Sequence, residues 1–400
     1  MNKESLKIIS IFIITIFFLY LLYYTKYLFQ IVPPIIVNKQ IFLFGDWTAI
    51  YSAIKCDNLG INVFLENPCD PLKRIHVYGS IFLILPSITK FKLFFFLILP
   101  IILIGIFIFL IIYYFRLNNF KSSILYFLSI FNPSTLLLFE RLNFDLIIFL
   151  GLFLLVALKN NILKLFTITL LFSMKLWAAI YTAIFIFFKK ENLKKNIIYI
   201  LITISLYSIL ILFEYENIKL INLSGGQISA SKYFIFGINS LEKLIGNNYN
   251  LISNNSIILT YIILLFSIII SFIFGRESLN IELSKFEEKE FKLLILSTLT
   301  LMFMFFLFDN VYYREIFILG CIPYFLKYQS INYNKVIIYF LIFRYLIFIT
   351  ARIIFKEFQV DWFYYLKNIL DIILISNLII LIFYFSKNFF QSELKRFIKT

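Results

Sequence analysis

A chain of 400 residues that is 62% hydrophobic, with a mean hydropathy of +0.92, is too apolar for a soluble domain and reads as an all-α polytopic membrane protein. Its net charge of +15 is spread over short connecting loops, which suits lipid headgroups and topogenesis and excludes the clustered patch of a nucleic-acid binder. One histidine, His76, and three cysteines exclude a His/Cys metal site.

Lys3 and Lys7 precede an apolar run from Ile8 to Tyr24 with no small-residue cleavage site after it. A retained first span near 8–28 is therefore expected. Hydropathy places further spans near 91–115, 122–139, 144–158, 196–213, 256–274, 292–308, 315–327, 335–349 and 367–386. The segment 162–188 is apolar on both sides of Lys175. It is either one span around a buried lysine or a hairpin of two short helices with Lys175 at the tip. Lys159 and Lys164 lie before it and Lys189, Lys190, Lys194 and Lys195 after it. Basic residues mark cytoplasmic loops, so both ends are expected inside and the hairpin is preferred. The chain then has about twelve membrane segments with both termini cytoplasmic. Trp47, Trp177 and Trp362 fall on the outer side, where indole favours the interface.

Two outer loops are long on this map, about 29–90 and about 214–255. In the first, Phe44 to Leu59 has the pattern of an amphipathic helix lying on the membrane. Asn67-Pro68 and Asp70-Pro71 mark turns after it. The segment 275–291 reads as a solvated charged connector. No internal repeat and no separate soluble domain are visible, so 1–400 is expected to be a single membrane domain.

The unusual polar residues collect on the outer face. Asp46 and Asp57 are in the first loop, and Glu140, Arg141 and Asp145 form the turn between the third and fourth spans. Lys175 is at the hairpin tip, Asn239 and Ser240 are in the second loop, and Tyr312, Tyr313 and Arg314 open a later span. Ionisable groups within a membrane are expensive, so such a convergence points to a site. It suits sugar transfer from a lipid phosphate, which needs a carboxylate to take a hydroxyl proton and cations to hold the departing phosphate.

Structural alternatives stand beside these roles. Asp46 fits a helix N-cap before Trp47, and Arg141 and Asp145 have the spacing of an ion pair on one helix face. Lys175 has the length to snorkel, Arg314 suits lipid headgroups, and His76 suits a solvated loop. Cys56 and Cys69 share the first outer loop, where a disulfide would contribute ~3 kcal/mol. Cys321 is expected in the core.

A family resemblance runs through the same residues. Asn67-Pro68-Cys69-Asp70-Pro71-Leu72-Lys73-Arg74 with Val77-Tyr78 is similar to the first outer loop of bacterial GT-C membrane glycosyltransferases. The best fit is to family 87, the polyprenol-phosphate-mannose-dependent mannosyltransferases. Glu140-Arg141-Leu142-Asn143-Phe144-Asp145 resembles its E-R-G-N-x-D turn, and Met174-Lys175-Leu176 its F-K-x-Y-P hairpin tip. Gly237-Ile238-Asn239-Ser240-Leu241 and Asn310-Val311-Tyr312-Tyr313-Arg314 resemble its G-x-N-S-L and N-Y-x-Y-R stretches. The matches occur in order over about three quarters of the chain. Gly79, Leu142, Trp177 and Ala178 depart from the pattern.

The resemblance implies a GT-C-type helical bundle in the cell membrane, its active site facing outside. It implies an inverting transfer of a hexose, mannose in the family, from a polyprenyl-phosphate donor to a glycan or glycolipid acceptor. Asp46 matches the position of the general base. Arg141, Lys175, Tyr313, Arg314, Glu140, Asp145, Asn239 and His76 would hold the donor phosphate and substrates. Membrane lipids are the other partners, no cofactor is implied, and a divalent cation is left open. The competing functions are a lipid-linked oligosaccharide polymerase or ligase and a secondary transporter.

Overall fold

Runs of Ile, Leu and Phe that leave water must satisfy their backbone groups internally, and helices do so within one segment. The computed structural model describes residues 3–25, 35–37, 40–42, 44–84, 91, 94–187, 193–223, 235–237, 253–275, 288–307, 310–358 and 362–399. Among them, helices dominate and strands are confined to short pairs. Among the described residues, five helical stretches are long and apolar enough to cross a membrane: Leu6–Tyr24, Phe94–Phe115, Lys195–Ile221, Asn332–Arg352 and Phe363–Lys387.

The chain divides into two compact units. The first comprises Met1–Tyr113, Leu136–Phe185 and Lys190–Ser229; the second comprises Tyr114–Thr135, Ile186–Lys189 and Ala230–Thr400.

In the first unit, α1 (Lys3–Tyr24) is followed by a hairpin of β1 (Ile35–Val37) and β2 (Gln40–Phe42), with Ile36 opposite Ile41. Helix α2 (Gly45–Asp57) lies within the stretch expected to be an amphipathic helix. A turn-rich segment follows to residue 84, and a π-helical turn, Phe94–Ile98, enters α3 (Leu99–Phe115). Trp47 and Trp177 are buried. Trp47 stacks between Phe95 and Phe144 at 4.8 and 5.0 Å, and its Nε1 donates to the Phe95 carbonyl. Both indoles pack in the protein interior and are not the interface anchors expected; the side chain of Trp362 lies outside the described residues.

Helices α4 (Phe120–Phe131) and α5 (Pro133–Arg141) meet at a 45° bend and count as a sixth span if taken together. Proline cannot continue the hydrogen-bond ladder, and Asn132 caps the new start by accepting from the backbone of Ser134 and Thr135. Helix α6 (Asp145–Ala157) has 13 residues, ~20 Å at 1.5 Å each, short of a ~30 Å hydrocarbon core. Helix α7 (Asn161–Met174) ends where Lys175 turns extended (φ −148°, ψ 120°). A 3-10 segment, Leu176–Ala183, packs back on α7 and leads into α8 (Ile184–Phe187). The segment 162–188 is thus broken at Lys175.

Helix α9 (Leu193–Leu223) runs ten residues past the expected end at 213, because Glu214-Tyr215-Glu216-Asn217 continue it. The first ten residues of the expected second outer loop are therefore helical, Glu214 and Asn217 among them.

The second unit holds β3 (Ile235–Phe236), α10 (Ser253–Gly275), α11 (Lys289–Leu307) and β4 (Asn310–Val311), with β3 paired to β4. A 3-10 segment, Tyr312–Phe317, enters α12 (Ile318–Lys327), followed by α13 (Asn332–Phe358) and α14 (Trp362–Lys399). Glu315, Arg344, Lys367 and Asp371 form one buried ionic network among these elements. Glu315 accepts from Arg344 and Lys367 at 2.5 Å each and from Ser134 at 3.1 Å. Asp371 pairs with the same two cations at 2.5 and 2.7 Å. Two acids against two bases leave no net charge, the condition on which such burial is tolerable. Glu290, in the segment expected to be solvated, is also buried and joins Arg116 and Lys327 at 3.0 Å each.

Candidate functional site

The polar cluster of the first unit starts from a backbone contact. Phe44 adopts a left-handed conformation (φ 56°, ψ 44°), and its N–H donates to the Glu140 carbonyl at 2.7 Å. That bond sets the start of α2 against the turn at 140–145. Asp46 sits in the first turn of α2 and is not its cap, so its carboxylate is available for other partners. Oδ2 accepts from Asn143 Nδ2 at 2.7 Å, and Oδ1 pairs with Arg74 Nη1 at 3.2 Å.

Arg74 is held on its other side. Asp70 accepts from its Nε and Nη2 at 2.9 and 3.0 Å, and the Gly45 carbonyl accepts from Nη2 at 2.7 Å. This fork geometry fixes a guanidinium in plane. Cys56 and Cys69 are joined as a disulfide with Cα atoms 5.8 Å apart, tying the Asp70 loop to the last turn of α2.

Asn143 links the two halves of the cluster. Its Oδ1 accepts from Lys175 Nζ at 2.8 Å, and its Nδ2 also donates to the Tyr78 hydroxyl at 3.3 Å. Lys175 Nζ continues to Asp145 at 2.7 Å and lies 5.3 Å from the centre of the Tyr78 ring. The expected Arg141–Asp145 pair does not form: Asp145 takes Lys175, and Arg141 pairs with Glu140 at 2.9 Å. The turn between the two helices separates the i and i+4 positions, because α5 ends at Arg141 and α6 begins at Asp145. Leu142 makes that turn with φ 46°, a left-handed conformation that costs a non-glycine residue ~1–2 kcal/mol.

Exposure separates the carboxylates. The side chains of Asp70, Glu140 and Asp145 are 0% exposed, whereas that of Asp46 is 18% exposed. Among the cations, Arg74 and Arg141 are 29% and 25% exposed and Lys175 only 9%. Of these four carboxylates, Asp46 is thus the one open to solvent. Glu140 and Asp145, expected among the substrate contacts, are closed to solvent and pair with Arg141 and Lys175.

His76 is buried rather than solvated, edge-on to Phe64 and beside Tyr78 and Phe82, with Nε2 3.3 Å from the Gly79 carbonyl. Burial pushes its imidazole down to about 4. The loop that carries it is pressed against the hairpin tip. A Cβ on Gly79 would lie 1.8 Å from the Ser173 carbonyl oxygen, so only glycine fits. Glu214 holds the next residue, accepting from the Ser80 N–H at 2.8 Å and its hydroxyl at 2.5 Å.

Beside this cluster lies a groove of about 80 Å³. Phe172, Leu210, Ile218 and Ile221 line its apolar part, and Lys175 and Glu214 are among its polar lining.

Tyr313 and Arg314 lie in the second unit on the 3-10 segment, the tyrosine buried and the arginine half-buried. Asn239 and Ser240 fall outside the described residues. Asp57 is exposed at the end of α2. Among the described residues, no group of three or more His, Cys, Asp or Glu is placed to hold a metal ion. The structure adds Arg74, Asp70, Tyr78, Asn143 and Glu214 to the residues singled out from sequence. Comparison with family models, curated proteins and solved structures finds no match.

Proposed function

We propose that this protein is an inverting membrane glycosyltransferase that moves a hexose, mannose by the resemblance, from a polyprenyl phosphate to a glycan or glycolipid acceptor. The acceptor hydroxyl oxygen attacks the anomeric carbon on the face opposite the phosphate. The bond from that carbon to the phosphate oxygen breaks, and its electron pair leaves with the phosphate. Asp46 takes the hydroxyl proton. Lys175, at the edge of the apolar groove, and the half-buried Arg141 receive the phosphate, whose charge grows as the bond breaks. The groove takes the first part of the polyprenyl chain.

One observation carries this reading: of the four carboxylates in the network, Asp46 alone is open, and it sits in a frame of fixed donors. A general base needs access and orientation together. The finer arrangement belongs to the same proposal: a GT-C-type bundle of about twelve membrane segments, both termini cytoplasmic, with the site on the outer face. A secondary transporter is the second reading, favoured by the buried quartet Glu315, Arg344, Lys367 and Asp371, since paired charges among spans occur along ion pathways.

The test is sugar transfer by the purified protein in lipid nanodiscs. Synthetic polyprenyl-phosphate hexoses should act as donors where nucleotide sugars do not. Absence of transfer with every hexose donor, together with solute flux in proteoliposomes, would replace the enzyme by the transporter.

A further inference from the structure

The second unit has its own polar cavity, of about 190 Å³, which shares no lining residue with the groove beside Lys175. Helix ends build it. Arg116 follows the last residue of α3 in a left-handed conformation (φ 45°), and Asn119 caps α4. Glu290 lies in the first turn of α11, and Lys327 is the last residue of α12. Phe115, Pro323 and Leu326 add an apolar wall. A space of that size holds far more than one water molecule.

The acid and the donors of this cavity are unequally engaged. Glu290, 9% exposed, spends Oε1 on Arg116 and Oε2 on Lys327, each at 3.0 Å. It is the only carboxylate among the described lining residues. Arg116 gives an Nη2 proton to Glu290, and its other N–H groups have no partner among the described residues. Its side chain is 62% exposed. The side-chain amides of Asn118 and Gln329, both in the lining, are also without partners among the described residues. An open guanidinium fork beside neutral amides fits an anion with several oxygens, a phosphate above all. An ammonium would find no open carboxylate in this lining.

The place in the chain identifies the source of the phosphate. The apolar stretch Phe94–Phe115 ends at the cavity, and Asn332–Arg352 starts just beyond Gln329. The cavity thus lies where two candidate spans leave the apolar layer, at the level of lipid phosphates. Beside it Phe120 on α4 is 78% exposed, and Val336, Tyr339 and Phe343 form an exposed apolar strip along α13. Lys121 Nζ lies 4.7 Å from the centre of the Tyr339 ring, joining α4 to α13. On the proposed topology this end is cytoplasmic, where anionic lipids attract basic segments.

We propose that this cavity binds an anionic phospholipid. Arg116, with Asn118 and Gln329, holds the phosphodiester, and the acyl chains lie along the exposed faces of α4 and α13. The site stands apart from the transferase reading.

The experiment uses the full-length protein in detergent micelles, with lipid binding titrated by native mass spectrometry. The probes are phosphatidylglycerol, the zwitterionic phosphatidylcholine and phosphatidylethanolamine, and soluble glycerol 3-phosphate. Phosphatidylglycerol should bind about ten-fold more tightly than either zwitterionic lipid. Arg116→Lys keeps the charge but loses the fork, and should remove most of that preference. Gln329→Glu, which sets a carboxylate in the lining, should do the same. Lys159→Gln, at an exposed lysine of the first unit, should leave the preference intact. The thermal midpoint without added lipid checks that each variant folds. Equal affinity for the three lipids, or a preference that survives both Arg116→Lys and Gln329→Glu, would overturn the proposal. An equal loss in Lys159→Gln would also overturn it, by showing unspecific attraction to basic surface. Glycerol 3-phosphate that displaces phosphatidylglycerol at equal concentration would assign the cavity to a soluble phosphate instead.

Discussion

Lys175 and Asp145 show how a charge becomes tolerable in so apolar a chain. Their 2.7 Å pair is nearly closed to solvent, and Asn143 satisfies a further ammonium proton. Removing one member leaves the other a buried charge without its opposite in this pair. Lys175→Met is expected to destabilise the protein by about 3–5 kcal/mol, and Lys175→Met with Asp145→Leu by clearly less. Thermal midpoints of the single and double variants check this. A double variant that melts lower than either single would show that the charges contribute more than mutual neutralisation.

His76 gives a pH dependence whose sign follows from its environment. Its folded value of about 4 lies below the ordinary value of 6.5. Above pH 6.5 the ring is neutral in both states and has no effect. As pH falls from about 6.5 to about 4 the unfolded chain takes up a proton that the folded chain refuses, so stability declines, by at most about 3 kcal/mol. His76→Phe should flatten that part of the profile of thermal midpoint against pH; an unchanged slope would assign it to other groups.

The charged members of the site were legible because Asp46, Glu140, Arg141, Asp145 and Lys175 stand out in an apolar background. Asn143 and Tyr78 lay within the resemblance motifs but were not singled out as site residues, because a chain with 26 tyrosines and abundant asparagine gives neither residue any contrast. Glu214 was hidden for a different reason: hydropathy falls at 213, while the helix continues to Leu223. Arg74 was visible within a motif, but its role rests on Asp70 and Gly45, contacts that sequence spacing does not reveal.

At the level of elements, breaks matter more than spans. The chain stops α7 at Lys175, bends at Asn132-Pro133 and makes a 3-10 segment at Tyr312–Phe317. Each break sits beside buried polar groups that repair it. Lys175 is anchored by Asp145, and Asn132 caps α5. Glu315 pins the 3-10 segment to Arg344 on α13 and Lys367 on α14. Glu315→Gln keeps the size but leaves the two cations to share Asp371. It is expected to cost about 3–5 kcal/mol, the penalty of breaking a buried ion pair. Arg344→Met in the same chain restores charge balance and should recover part of the loss. The thermal midpoint decides: no recovery would mean that the network acts through its hydrogen bonds and not its charge. Hydropathy found the long helices well, since lipid demands apolar length. It merged or misplaced the broken ones, because a repaired break needs only one or two polar residues.

The whole molecule is a helical membrane protein in which the network around Asp46 belongs to one compact unit. Its elements are tied by a disulfide, a backbone bond from Phe44 to Glu140 and the close seating of Gly79 on Ser173. Such cross-links fix donors around a carboxylate, which is the preorganisation that the proposed catalysis requires. The most direct measurement is therefore transfer from a synthetic polyprenyl-phosphate hexose by wild type and Asp46→Asn, with donor affinity measured beside it. Asparagine keeps the size and an oxygen for Arg74 but cannot take the proton. Turnover should fall by ~10²–10⁴ while donor affinity stays within a few-fold, because the contacts proposed for the lipid and phosphate do not involve Asp46. An Asp46→Asn protein that transfers sugar at the wild-type rate would contradict the assignment of Asp46 as the base.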